Sequence, residues 1–87
     1  MIPSTQEWYR ARSLAALGAA VKGAREAKGL TQEELASRTA SSRPTISRLE
    51  RGHAVSTDTL MAALTASGYE LAAVPRGSRV RIGDQQP

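Results

Sequence analysis

Apolar residues recur every three or four positions in four stretches of the chain, and polar or glycine-containing stretches separate them. This spacing places the apolar side chains on one face of a helix, so the pattern predicts four helices. With their caps, the predicted helices cover residues 13–28, 31–38, 42–51 and 56–67. Ser13, Thr31 and Ser42 are the predicted caps of the first three, and either Ser56 or Thr57 caps the fourth. A glycine that can adopt a left-handed conformation and end the helix follows three of them: Gly29, Gly52 and Gly68.

The pattern changes after the fourth helix. Residues 69–75 show a partial alternation and a terminal proline instead of a helical stripe, which predicts one short β-strand. A lone strand leaves its backbone groups unpaired, so we expect it to pair with the same strand of a second subunit. The side chains assigned to this dimer strand are Tyr69, Leu71, Ala73 and Val74. The predicted organisation is an N-terminal arm at 1–12, a helical domain at 13–68, a dimerising strand at 69–76 and a flexible basic tail at 77–87.

The second and third predicted helices are short, and a turn rich in serine and threonine joins them. Thr31 and Glu34 predict a capping box at the start of the second helix, because each side chain can bond the backbone N–H of the other. On a helical projection of the third helix, the packing residues fall on one side: Thr45, Ile46, Leu49 and Glu50. The other side carries Pro44, Ser47, Arg48 and Arg51, with Arg43 at its edge. Small proteins present side chains to the major groove of DNA in this way.

This arrangement gives a set of candidate DNA contacts: Gln32, Ser42, Arg43, Pro44, Thr45, Ser47, Arg48 and Arg51. Residues near the N-terminus of a recognition helix reach base edges, so we assign Arg43, Pro44 and Ser47 to bases. The arginine fork can bind guanine or phosphate, which places Arg48 between base and backbone. Gln32, the first residue of the second helix, is expected to donate to a phosphate. The alternative is that these arginines serve solubility alone; the capped helix and short turn before them favour DNA binding.

Glu50 lies on the packing side of the third helix, where a carboxylate needs a partner. Arg25 lies on the apolar stripe of the first helix and could reach inward. We predict an ion pair between Arg25 and Glu50 that ties the two helices together. The alternative is two unrelated surface charges.

Composition narrows the remaining possibilities. The chain of 87 residues has room for one domain, and its formal charge of +4 suits a polyanionic partner. It has no Cys and one His, His53, so we expect no disulfide, no metal site and no cofactor. The carboxylates stand at capping or surface positions, so we expect no catalytic residues and no enzyme. No apolar run approaches the roughly 18 residues of a membrane span, and no secretion signal is present, so we expect a cytoplasmic protein at the nucleoid.

Three segments together, LTQEELA, TISRLERG and STDTLMAAL, resemble the pattern of the Cro/XRE family of helix-turn-helix DNA-binding proteins. The resemblance covers residues 17–68. It implies a mainly α bundle of four to five helices, a homodimer, and binding to double-stranded DNA at an inverted-repeat operator. In that family the glutamine matching Gln32 contacts phosphate, and the residues matching Arg25 and Glu50 often form a buried salt bridge. The positions matching Ser42, Arg43, Pro44, Ser47 and Arg48 face the DNA.

The fourth helix followed by YELAAVPR is similar to the HipB-type antitoxins. This narrower resemblance implies a strand that pairs across the dimer, a HipA-type kinase toxin as partner, and repression of the shared operon. A stand-alone Cro/XRE-type regulator without a toxin partner is the alternative. The chain departs from the family at Ala40, where a turn glycine is usual, so the turn either avoids a left-handed residue or strains Ala40 into it. Because of Pro44 and the arginines around it, the family's operator sequences cannot be carried over.

Overall fold

The computed structural model describes residues 8–82 and contains four helices, followed by a segment without regular structure. The helices are α1 (Leu14–Ala27), α2 (Gln32–Arg38), α3 (Arg43–Glu50) and α4 (Thr57–Ala66). The predicted mainly α architecture is confirmed. Residues 1–7 of the predicted arm and 83–87 of the predicted tail lie outside the described residues.

Each helix begins at a hydroxyl side chain that accepts a hydrogen bond from a backbone N–H in the first turn. These caps are Ser13, Thr31, Ser42 and Ser56. At α2 the capping box is complete, because Glu34 also accepts from the Thr31 backbone N–H at 2.8 Å. Hydrogen bonding to the Thr31 backbone, followed by hydrogen bonding to the Thr31 side chain, lowers the pKa of the Glu34 carboxyl. The short helix α2 therefore starts from a defined position although it has only 7 residues.

The core lies where all four helices meet. Leu35 of α2, Ile46 of α3 and Val21 of α1 are fully buried. The α4 face adds Ala63 and Leu64 to the same cluster. Burying aliphatic side chains from each helix against the others gives the bundle its main driving force.

Helix α1 lies very close to the end of α3 because residue 18 is glycine. A Cβ atom on Gly18 would overlap the carbonyl oxygen of Leu49 and would lie 2.8 Å from that of Glu50. The absence of a side chain therefore lets the α1 backbone rest directly on the last turn of α3. This contact fixes the position of the third helix in the bundle.

The turn between α2 and α3 resolves the question raised by Ala40. Ala40 has a φ of 52°, so it occupies the left-handed region. Left-handed geometry costs a non-glycine residue roughly 1–2 kcal/mol, because its Cβ crowds the following carbonyl. The turn thus has the family's geometry, with alanine strained into the position where glycine is usual.

The predicted strand at 69–76 is not confirmed, since no strand is present within residues 8–82. A strand exists only when its backbone pairs with another, and one copy of the chain offers no neighbour. Instead, a turn with Gly77 at a φ of 81° and a bond from the Ser78 N–H to the Pro75 carbonyl reverses the chain. The pairing across a dimer stays a prediction.

The end of the predicted arm, residues 8–12, lies on the body of the protein. The ring of Tyr9 lies 5.5 Å from that of Tyr69, centroid to centroid. A Cβ on Gly23 would lie 2.7 Å from the Tyr9 hydroxyl, so the arm runs back along α1. Burial of Tyr69 raises the pKa of its hydroxyl, with a smaller contribution from Tyr9.

Candidate nucleic-acid interface

Helix α3 has one buried face and one exposed face. Ile46 and Leu49 are buried in the core, whereas Arg43, Pro44 and Arg48 are exposed. Ser47 is half-buried between the two faces, and Arg51 is exposed just after the last helical turn. The helix therefore presents arginines outward from a rigidly packed element.

The start of α3 is held by a small hydroxyl network. The Thr45 N–H donates to the Ser42 Oγ at 3.2 Å, and the two hydroxyl oxygens lie 2.9 Å apart. Pro44 stands in the first turn, where its missing N–H removes no helical bond. Thr45 is half-buried and Ser42 is exposed, so the Ser42 hydroxyl is accessible at the end of the helix that carries Arg43.

Beneath the exposed face, Arg25 and Glu50 form an ion pair. The Arg25 Nε donates to the Glu50 Oε2 at 2.6 Å, and the Arg25 Nη2 donates to Oε1 at 3.0 Å. The side chains are only 9% and 3% exposed, respectively. The Arg25 Nη1 also donates to the Leu30 carbonyl at 2.8 Å. Hydrogen bonding to Glu50 raises the pKa of Arg25.

The sequence alone did not indicate the partner of Gln32. Its Nε2 donates to the Glu50 Oε1 at 3.0 Å, so Gln32 joins the Arg25–Glu50 pair. A carboxylate can accept about four hydrogen bonds, and this capacity at Glu50 was the available signal. An amide nitrogen carries two hydrogens, so one N–H of Gln32 remains for another acceptor. Glu50 thus fixes the orientation of the side chain at the N-terminus of α2.

The exposed arginines of α3 are not neutralised by the protein itself. Within residues 8–82, neither Arg43 nor Arg48 has a carboxylate partner. The Arg51 Nε donates weakly to the Ser47 carbonyl at 3.3 Å. The cationic groups are therefore available to an external anion, and the Gln32–Glu50 bond places the N-terminus of α2 next to the last turn of α3.

Neither a cluster of metal ligands nor a membrane-spanning helix is found in the described part of the chain. Residues 8–82 contain no group of three or more His, Asp or Glu side chains arranged to hold a metal ion. Over the same residues, no helix has the length and apolar character needed to cross a membrane. His53 lies exposed in the loop after α3.

The two capped helices, the tight turn and the exposed arginine face define a helix-turn-helix DNA-binding domain. The helix-turn-helix family model matches residues 21–73, more than half of the chain. The chain belongs to this family, in its Cro/XRE-type branch of DNA-binding transcriptional regulators. No curated protein sequence matches the chain.

Solved structures give the same fold. The clp gene regulator ClgR from Corynebacterium glutamicum is 40% identical over 64% of this chain and 61% of its own, with a TM-score of 0.61. The present chain thus spans less than two thirds of that protein. The restriction-modification controller protein C.AhdI from Aeromonas hydrophila is 34% identical over 66% of this chain and 84% of its own, with a TM-score of 0.61. HipB, as it occurs in the HipA-HipB-O2-O3 complex, has a TM-score of 0.71 but only 24% identity, over 79% of this chain and 99% of its own.

Proposed function

We propose that the protein is a dimeric, sequence-specific transcriptional repressor that inserts α3 into the major groove of an inverted-repeat operator. The observation that carries this proposal is the division of α3, whose buried face fixes the helix while its exposed arginines lack carboxylate partners within residues 8–82. Arg43, Pro44 and Ser47 contact base edges, and Arg48 reaches both base and backbone. Two copies would place their recognition helices in successive major grooves, about one helical turn apart.

Phosphate contacts hold the domain in register on the duplex. Gln32 uses its second amide hydrogen for a phosphate near the N-terminus of α2, where unpaired backbone N–H groups also favour an anion. Arg51, at the far end of α3, binds the backbone. The hydroxyls of Ser42 and Thr45 complete the surface at the start of the recognition helix.

The first experiment is a footprint on the DNA upstream of the protein's own gene, followed by binding measurements with two variants. Arg43→Ala should abolish discrimination between the footprinted site and a random duplex, because it removes a base contact. Arg51→Ala is the matched control, which removes one arginine from the same helix region and should weaken both duplexes alike. Retained preference in the Arg43 variant would contradict the base-reading assignment. No protection of the upstream DNA by the wild-type protein would contradict autorepression.

The proposed dimer interface is the segment at 69–76. Leu71 and Val74 are 53% and 46% exposed, so this segment presents apolar side chains to solvent. Within residues 8–82, the backbone of residues 70–74 makes no hydrogen bond. Pairing with a second copy would satisfy these groups and cover both side chains. Leu71→Pro with Ala73→Pro should yield monomers in sedimentation, whereas continued dimerisation would place the interface on helices.

The finer proposal is that this repressor is the antitoxin of a HipA-type kinase. The similarity of residues 69–76 to the HipB-type segment supports it, together with a fold that matches HipB over most of the chain. A kinase-like reading frame directly downstream, whose product co-purifies with the protein, is the expected result. Failure to co-purify would favour the stand-alone regulator, for which the higher identity to ClgR and C.AhdI is the supporting observation.

A further inference from the structure

A second group of arginines stands outside the helix-turn-helix. Residues 8–12 and 76–82 contain five arginines and no carboxylate. The whole chain has 12 basic and 8 acidic residues, so without these two segments it would have seven basic residues against eight acidic ones. The net positive charge of the protein therefore resides in the two segments that flank the helical domain.

The structure brings these segments together. The Arg10 Nη2 donates to the Ser78 carbonyl at 2.6 Å, and its guanidinium lies 5.7 Å from the centroid of the Trp8 ring. The bond between Arg10 and Ser78 therefore holds residues 76–82 against residues 8–12. Three exposed arginines line one shallow depression around this bond: Arg12, Arg79 and Arg81. We call these three residues the arginine cluster.

The described part of the chain offers the arginine cluster no counter-charge. Within residues 8–82, none of its three members has a carboxylate partner. Holding like charges side by side costs free energy that an external polyanion would recover. Double-stranded DNA supplies such a field, with about one negative charge per 1.7 Å of helix axis.

The segment that carries Arg12 and the end of the proposed recognition helix also lie close together in the fold. A Cβ on Gly52 would lie 2.9 Å from the Ala15 Cα, so the end of α3 touches the beginning of α1. Arg51 directly precedes this contact on one side, and on the other side Arg12 stands just before the α1 cap, Ser13. A duplex bound along α3 would therefore meet further cations beyond the end of the recognition helix.

We propose that Arg12, Arg79 and Arg81 form a second phosphate-binding surface that contacts the DNA backbone outside the half-site held by α3. This proposal rests on the DNA-binding function proposed above. It differs from base reading, since it adds affinity that depends on salt and on duplex length but not on the sequence of the flank.

The test uses two duplexes: one trimmed to the inverted repeat within the footprint on the protein's own upstream DNA, and the same duplex lengthened on both sides. The variant is Arg79→Gln with Arg81→Gln, and the control is Lys22→Gln with Lys28→Gln, which removes the same charge from exposed positions on α1 and at its C-cap. Affinity is measured over a range of salt concentrations, and far-ultraviolet circular dichroism verifies the fold of each protein.

On the long duplex, the plot of log affinity against log salt should be shallower for the variant by about 1.8 per protomer, since each lost phosphate contact contributes about 0.9. For a dimer the difference in slope is about 3.6, so between about 50 and 200 mM salt the variant should lose on the order of 100-fold less affinity than the wild type. On the short duplex, the two proteins should have the same slope.

Equal slopes on the long duplex would overturn the proposal and would leave the arginine cluster to a different partner, such as an acidic protein surface. An equal change in the lysine control, or an equal change on the short duplex, would also overturn it. Failure of the wild-type protein to bind either duplex would instead refute the proposed function itself.

Discussion

The pair formed by Arg25 and Glu50 allows a quantitative test of how the bundle is held together. In Glu50→Ala, Arg25 keeps its charge in a site where its side chain is 9% exposed and loses both bonds to the carboxylate. Breaking a buried pair by removing one partner costs about 3–5 kcal/mol. A domain of 87 residues has a total stability of roughly 4–13 kcal/mol, so the loss would remove a large part of it.

The matched variant is Arg25→Met combined with Glu50→Leu, which removes both charges and keeps similar volumes. Two groups then lose partners, the Leu30 carbonyl and the Gln32 amide. Each such hydrogen bond contributes about 0.5–1.5 kcal/mol net, so the double variant should be destabilised by about 1–3 kcal/mol. The double variant is therefore expected to be more stable than Arg25→Met alone or Glu50→Leu alone, because each of these leaves one charge without its partner.

Urea unfolding followed by circular dichroism at 222 nm measures these differences, with all proteins at one concentration because the proposed dimerisation would couple stability to concentration. The midpoints should move while the slope with urea stays constant, since the fold is retained. The reasoning would be refuted if the double variant lost as much free energy of unfolding as the two single variants together. That result would mean that Arg25 and Glu50 do not depend on each other. A loss below about 1 kcal/mol in Glu50→Ala would show that the pair behaves as a solvated surface pair.

Three further predictions concern single positions. Ala40→Gly should stabilise the protein by up to about 1 kcal/mol, because relief of left-handed strain of about 1–2 kcal/mol exceeds the added entropy of the unfolded chain; a lower thermal midpoint would contradict this. Gly18→Ala should lower the free energy of unfolding in urea by about 1–3 kcal/mol, because the added Cβ would overlap backbone carbonyls of α3. In the control Gly23→Ala, only the end of the flexible Tyr9 side chain must shift. The pKa of Glu34 is lowered from 4.5 in the folded state, so its contribution to stability is present above that value and is lost as the pH falls through the folded pKa. Glu34→Gln should therefore flatten the decline of stability below about pH 4.5, and an unchanged pH profile would contradict the capping contribution.

The helices and their starts were predictable because their causes are local. Apolar spacing identifies the buried face, and a hydroxyl followed by a suitable first turn identifies the cap. Ser13 and Ser42 cap α1 and α3 as predicted, and Thr31 with Glu34 forms the complete box. These features depend on residues within one helical turn of each other.

Features that depend on tertiary packing were less accessible. The sequence left two conformations open at Ala40, and the structure has the strained one because α2 and α3 must both bury their faces against α1 and α4. The bond between Gln32 and Glu50 spans 18 positions and has no local signature. The predicted strand at 69–76 would need a second chain to pair with, and in the single chain these residues form no strand.

Glu50 links the stability of the bundle to the geometry of the proposed DNA surface. It accepts from Arg25 of α1 and from Gln32 at the start of α2, while its own helix carries the exposed arginines. Helix α3 buries Ile46 and Leu49 in the core and rests against Gly18 of α1, and these contacts oppose rotation about the helix axis. A bidentate ion pair at the third anchor restrains that rotation, because the guanidinium and carboxylate planes must stay aligned. The same carboxylate orients Gln32, so one buried charge holds the proposed phosphate-binding residue and the proposed base-reading helix in register, which an apolar pair of similar volume could not do.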